Sequence, residues 1–360
     1  MSDAAPLAVA VIGGGVIGLT TAFELSELGA HCTLVDPAPG RGASWAAAGM
    51  LSPAAEIAPG EEPLLDDLRE AARIWPAFAA RLSAASGVEM GFEKSSSVLV
   101  GVSPSDVRDV ARTARMLLDA GAKIEPLTAS DLQAMEPSLA GGVHGGWLLP
   151  QDDRVDNRLF VGALLEALKA RGVSLIEDRC LQVSVAAEGV ELALEHHGSV
   201  KADRCVLATG AAPLPTGLEG LGIPRVRPVR GTTLRLSPAT GVAVPRRTVR
   251  AVVRGAHCYL VPREDGSLVI GATAEERGFE LVSPSGGVFR LLEAAREIFP
   301  GVDELPFEEA SVGLRPASED HVPFVASLSD ARFTAALGHY RNGILLAPLA
   351  GARAARLANA

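Results

Sequence analysis

The sequence predicts a mixed α/β protein (α+β overall), in which a βαβ lobe is interleaved with a mostly antiparallel β lobe. Three observations carry this. The chain opens on a strand, a glycine turn, a helix and a second strand closed by an acid. Helix and strand patterns alternate again over residues 156–207, and residues 225–273 read as one series of strands.

In the opening unit an apolar run (7–12) leads into Gly13-Gly14-Gly15-Val16-Ile17-Gly18, a helix (19–28) and a strand ending at Asp36. Gly13 permits the tight turn, Gly15 lets backbone approach a pyrophosphate, and Gly18 lets the helix pack close to the strand. Phosphates then rest on free N–H groups of the first helical turn. Asp36 lies eighteen residues after Gly18, close to the spacing at which a carboxylate accepts ribose hydroxyls, and no Arg follows directly to invite a 2′-phosphate. The unit by itself does not choose between NAD and FAD.

Next comes a stretch of small residues, 40–50, containing Ala43, Ser44, Ala48, Gly49 and Met50, suited to bringing backbone close to a flat ligand. Pro53 and Pro59 set off a helix whose apolar face is Leu64, Leu68, Ala71, Trp75, Phe78 and Leu82. A strand at 98–102 precedes a helix opened by Ser103-Pro104 and closed near Gly121, and a short helix spans 128–135. Gly141, Gly142, Gly145 and Gly146 read as a flexible return. Helix 159–169 and strands 173–177, 181–186, 190–195 and 204–207 follow, the last running into Thr209-Gly210, a second glycine at a strand end. A hairpin pairs 259–262 with 267–271, a helix runs from Ser283-Pro284 to Phe299, and strand 332–337, turn 338–343 and helix 344–357 close the chain.

Composition narrows the partners. Thirty-three basic and 43 acidic residues give a net charge of −10 with no long run of one sign, so neither nucleic acid nor an anionic membrane is expected. The four cysteines, Cys32, Cys180, Cys205 and Cys258, have no ligand-like spacing and read as reduced core thiols, and no metal site is expected. Six residues before the first strand leave no room for a signal peptide, and a cytoplasmic location is expected.

The segments "VIGGGVIGLTTAFEL", "ASWAAAGML", "VLATGA", "CYLVPREDGSLVIGAT", "VGLRP" and "GHYRNGILLAP", in that order from Val11 to Pro348, resemble the D-amino-acid-oxidase-like flavoenzymes and most closely the glycine oxidases of thiamine biosynthesis. The resemblance implies a Rossmann-like FAD-binding domain (1–85, 146–220 and 308–360) and a substrate-binding domain (86–145 and 221–307). It also implies noncovalent FAD, since no Cys follows Cys258 to tether the flavin, and a homo-oligomer such as a tetramer. Cofactor contacts are expected at Gly13, Gly15, Val16, Ile17, Gly18, Asp36, Pro37, Ala43, Ser44, Ala48, Gly49, Met50, Thr209 and Gly210, with Leu181 near the adenine. His339, Tyr340, Arg341, Asn342, Gly343, Ile344 and Leu345 are expected beside the flavin ring, where the last helix's N–H groups favour negative charge.

Tyr259, Arg315 and Arg341 stand out against a background that is only 4% aromatic. The resemblance makes Arg315 the partner of an amino acid's carboxylate, fitting a guanidinium's two parallel donors. Tyr259 adds a phenolic hydrogen bond, Arg341 a second polar contact, and Met50 touches the substrate. The implied reaction is oxidative deamination of glycine, sarcosine or a small D-amino acid, with hydride transfer to flavin and oxygen as acceptor. His257 and His339 are given structural roles, and Ala274 stands where a bulkier residue narrows the pocket. The rivals are a sarcosine oxidase or D-amino-acid dehydrogenase of the same fold, or a non-catalytic flavin-binding subunit.

Overall fold

The computed structural model describes residues 6–57 and 60–360. The expected absence of a leader and the break at Pro59 lie outside these residues. The chain begins β1 (Ala8–Ile12), α1 (Val16–Glu27), β2 (His31–Val35), the short α2 (Ala43–Ala46), β3 (Met50–Leu51) and the long α3 (Leu65–Ser86). It continues through β4 (Phe92–Glu93), β5 (Ser97–Gly101), α4 (Pro104–Asp119), β6 (Glu125–Leu127), α5 (Ala129–Met135), β7 (Gly146–Leu149), β8 (Asp153–Val155), α6 (Asn157–Ala170) and β9 (Ser174–Ile176). Strands β10 (Cys180–Val185), β11 (Val190–Leu194), β12 (Ser199–Ala202), β13 (Arg204–Leu207), β14 (Arg227–Leu236), β15 (Thr248–Val253), β16 (Ala256–Pro262) and β17 (Leu268–Gly271) then precede α7 (Ser285–Ile298). The chain closes on β18 (Phe307–Ala317), β19 (Phe324–Ser327), β20 (Phe333–Leu337) and α8 (Gly343–Ala358).

Two large sheets result. One has the order β19-β20-β13-β1-β2-β9, with β20, β13, β1, β2 and β9 parallel, and its core includes residues of α1, α3, α6 and α8. The continuous apolar runs of β1, β13 and β20 suit strands covered on both faces. The other sheet, β18-β14-β17-β16-β15-β5-β7-β6, is mostly antiparallel. Local signals predicted several ends well: Ser103 and Asp106 form a reciprocal capping box at α4, and Thr128 and Asp131 another at α5.

Sequence reading missed three strands of the second sheet, the short β6 among them. Gly145 and Gly146 do not form a flexible return: Gly146 starts β7, and a Cβ there would run into the Leu99 carbonyl across the ladder. The stretch bearing Arg315, read as loop, is the eleven-residue β18. The sequence-based domain borders therefore cut this sheet, leaving β7 and nearly all of β18 on the cofactor side.

Aromatic packing sets the last helix. Trp75, fully buried in α3, donates its Nε1–H to the Leu345 carbonyl at 2.7 Å and stacks with Phe92. At the other end of this layer Gly18 passes so close to the Gly13 carbonyl that no side chain fits. Gly18→Ala should lower stability by about 2 kcal/mol or more, read as a lower thermal midpoint. Gly162→Ala, in α6 with open space around it, should be neutral or stabilising by up to about 1 kcal/mol.

Candidate active site

Strand alternation sorts the eight-stranded sheet into two faces. Leu234, Leu236, Leu260, Leu268 and Ile270 point to one side, where α7 covers them with Leu291, Ala295 and Ile298. The opposite face presents Arg315 and Gly313 on β18, Gly231, Thr233 and Arg235 on β14, Gly271 on β17, and Tyr259 on β16. The small-residue segment lies on this second face: a Cβ on Gly313 would come within 2.9 Å of the Ala46 Cβ.

Arg315 and Tyr259 converge across that face because the two strands between them carry glycine. A Cβ on Gly231 would sit within the Arg315 guanidinium, and one on Gly271 within the Tyr259 ring. Both side chains therefore lie flat over neighbouring strands. The Arg315 Nη1 donates to the Thr273 carbonyl at 3.1 Å, and among the described residues no carboxylate stands within ion-pair distance of it. A half-buried cation without a counter-ion is set to receive an anion. Burial pushes the Tyr259 phenol up to about 12, against the pull of the Arg315 charge, so it stays a hydrogen-bond donor at neutral pH. Met50 packs beside Tyr259 against Ala48, Val261 and Val269.

Arg341 acts on the same Glu56 carboxyl as Arg315, but it is already engaged by acidic partners. Its guanidinium donates to the Glu56 carbonyl (Nε at 2.8 Å) and to the Glu61 carboxylate, with a Glu56 carboxylate oxygen at 3.6 Å. Two carboxylates, Glu56 and Glu61, already answer its charge, so it has less to offer a substrate anion than Arg315. Arg250, opposite Tyr259 in the ladder, was missed. It pairs with Glu56 at 2.7 Å, approaches Asp152 at 3.5 Å, and donates to the Ser52 hydroxyl. Burial raises the Glu56 carboxyl, but Arg250, Arg341 and Arg315 more than offset it and hold it below its ordinary range. The signal for Arg250 was a lone Arg between apolar residues of a strand, and that pattern alone names no role.

The expected cofactor contacts gather at the carboxyl ends of β1, β13 and β20, adjacent strands of the parallel sheet, where open α/β sheets bind ligands. Gly13 follows β1, Thr209 and Gly210 follow β13, and His339 follows β20. Three side-chain atoms here are buried without a partner: Thr209 Oγ1, His339 Nε2 and Asn342 Oδ1. Tyr340, between them, has a positive φ of 46° and stacks on His321. Ile344 and Leu345 are buried in the first turn of α8, which Gly343 opens.

Gly15 has open space but for the Ser44 hydroxyl at 3.4 Å, and that hydroxyl accepts from the Val16 N–H. Ile17 lies buried in the same helical turn. Asp36 accepts from the Gly14 and Ala38 N–H groups, each at 2.7 Å, flanking the exposed Pro37. Leu181 is exposed on β10, in the small β10-β11-β12 sheet. Ala43 opens α2, and beyond that helix the N–H groups of Ala47, Ala48 and Gly49 have no acceptor among the described residues. Unpartnered amides in one segment and unpartnered polar side chains at the strand ends fit a long ligand bearing both donors and acceptors, as FAD does. Gly49, with a φ of 76°, lies against the Val155 carbonyl where no side chain fits.

The one group with metal-like spacing among the described residues is Asp178, Glu195 and His196. The Asp178 carboxylate already accepts three backbone N–H groups, from Arg179, His196 and His197, and faces both histidine Nδ1 atoms. It is a structural acceptor. All four cysteines are free and buried, and no described helix is long and apolar enough to cross a membrane.

Residues 8–357 match the model of the family described as FAD dependent oxidoreductase. The bifunctional protein ThiO/ThiG of Trichormus variabilis is 32% identical over 345 residues, covering 96% of this chain and 51% of that protein, so the chain spans about half the length of such relatives. The glycine oxidase of Geobacillus kaustophilus is 30% identical over 349 residues, covering 95% of this chain and 90% of its own. Its crystal structure superimposes with a TM-score of 0.89 over 99% of this chain and 95% of that one. An oxidoreductase of Rhizobium etli named ThiO for thiamine biosynthesis is 32% identical, covering 97% and 96% of the two chains.

Burial holds the His339 imidazole down to about 4. Unfolding lets it protonate at the ordinary value, so its contribution to stability is complete above about pH 6.5 and is lost as pH falls towards 4, about 3 kcal/mol in all. Denaturant titrations of the unliganded protein at pH 7 and pH 4.5 should show a smaller acid loss for His339→Gln than for the parent.

Proposed function

The chain belongs to the FAD dependent oxidoreductase family, and from that premise we propose that it oxidises glycine, or an amino acid of similar size, to the 2-oxo acid and ammonia. The observation that carries this reading is that the Arg315 guanidinium, with no ion-pair partner among the described residues, and the Tyr259 ring lie on one sheet face, over Gly231 and Gly271. Two parallel N–H donors and one O–H donor match a carboxylate. Bound FAD supplies the two-electron acceptor, which oxygen regenerates with release of hydrogen peroxide.

The protein's own work is placement. Arg315 and Tyr259 hold the carboxylate, so that the substrate Cα–H stands at a fixed height above the sheet face. Met50, Ala48, Val261 and Val269 give an apolar wall that excludes water. The neutral amine's lone pair assists loss of hydride, an N–H proton leaves, and water hydrolyses the resulting imine. Neither half of this requires a side-chain nucleophile. The amide groups of Ala47, Ala48 and Gly49, with Thr209, His339 and Asn342, are assigned to the cofactor. Arg341 is assigned the ordering of Glu56 and Glu61 at the site's edge. Glycine oxidase and ThiO relatives support the substrate and a place in thiamine biosynthesis. A cytoplasmic homo-oligomer with noncovalent FAD completes the proposal.

Purified yellow protein supplied in air with glycine, sarcosine, D-alanine or D-proline should release peroxide, and acid precipitation should free all the flavin. Flavin bleaching without peroxide would point instead to a dehydrogenase. Arg315→Ala should raise KM for glycine roughly tenfold to a hundredfold; an unchanged KM would remove Arg315 from the carboxylate site.

A further inference from the structure

Every carbonyl of the small-residue segment from Ser44 to Ala48 is gripped by a side chain from outside it. The Asn157 Nδ2 donates to Ser44 (2.8 Å) and Trp45 (3.1 Å), the Thr233 hydroxyl to Ala46 (2.8 Å), Arg235 to Ala47 (3.5 Å), and Arg263 to Ala48 (2.8 Å). These four residues are buried. They also brace one another, since Arg235 and Arg263 both donate to the Asn157 Oδ1, at 3.0 and 3.3 Å. Thr233 and Arg235 belong to β14, two and four residues beyond the glycine that floors Arg315, and Arg263 directly follows β16, which bears Tyr259. One rigid ladder thus carries the substrate donors and the grip on the segment whose free amides face the cofactor.

We propose that Asn157, Thr233, Arg235 and Arg263 are positioning residues that fasten the 44–48 carbonyls to the substrate sheet, and so set the alignment of the substrate carbon with the flavin ring. A backbone segment with bare carbonyls in an apolar setting would turn to find other donors, carrying its N–H groups with it. Four side-chain donors arriving from β14, α6 and the end of β16 remove that freedom. Apolar packing alone requires no such set: Ala46 and Ala48 would be as well buried beneath Val and Leu. The kinetic consequence rests on the amino-acid oxidase reading, whereas the effect on bound flavin does not.

The test uses holoenzyme. Thr233→Val keeps the shape and deletes the donor, Thr233→Ser keeps the donor, and Asn157→Asp keeps the acceptor used by both arginines while deleting the donor to Ser44 and Trp45. Thr233→Val and Asn157→Asp should each shift the visible flavin absorption and raise the FAD dissociation constant roughly tenfold. They should slow the limiting anaerobic reduction by glycine roughly tenfold, with half-saturating glycine changed by less than about twofold. Thr233→Ser should restore all of these. Parent-like spectrum and affinity in Thr233→Val and Asn157→Asp, or an equal loss in Thr233→Val and Thr233→Ser, would overturn the proposal. Should no amino acid bleach the parent's flavin, the oxidase reading fails, and the spectrum and FAD affinity still decide the role of the four residues.

Discussion

Close approach without a Cβ is the constraint on which this structure depends. The Arg315 guanidinium lies directly over Gly231 and the Tyr259 ring over Gly271, and a Cβ at either place would displace those groups from the sheet. The same face admits the cofactor segment only because Gly313 leaves room for Ala43 and Ala46. Arg315 and the 43–46 segment therefore share one floor, a few ladder positions apart on β14 and β18. In the parallel layer, Gly18 does the same for the turn that opens the cofactor site.

Charge is distributed to match. Arg250 and Arg341 are both answered by carboxylates, and Arg154, Arg158 and Arg263 are each paired with an acid. Among the described residues Arg315 has no carboxylate within ion-pair distance, so it gains from a bound anion. Burial lowers Arg235 to about 10, still far above neutrality; its Nη2 donates to Ala47 and Asn157, and its Nε stands 3.6 Å from the Glu309 carboxylate. Preorganisation of this kind costs little when substrate arrives, because the donors are already aimed.

Much of this was legible in the sequence where local rules act. The Gly13–Gly18 turn, the caps at Ser103 and Thr128 and the hairpin at Asp265-Gly266 announce themselves through turn chemistry and capping. The glycine turns after β1, β13 and β20 were legible because each closes an apolar run with glycine nearby. What escaped is non-local. β18 was missed because "EEASVGLRPA" alternates too weakly to read as a strand, its outward residues being the site itself. Gly231 and Gly271 could not be linked to Arg315 and Tyr259 without the register, and Arg341's carboxylate partners come from a segment some 280 residues earlier. The grip of Asn157, Thr233, Arg235 and Arg263 joins three separate elements through backbone carbonyls, which leave no trace in residue type.

The most direct measurement of the central claim is the binding of acetate, a carboxylate that cannot be oxidised, to the oxidised holoenzyme and to its Gly231→Ala variant. The added methyl meets only the movable end of the Arg315 side chain, so the variant should fold with its full complement of FAD. The account predicts acetate binding weakened roughly tenfold or more with FAD content unchanged. Equal affinity for acetate in the two proteins would contradict it.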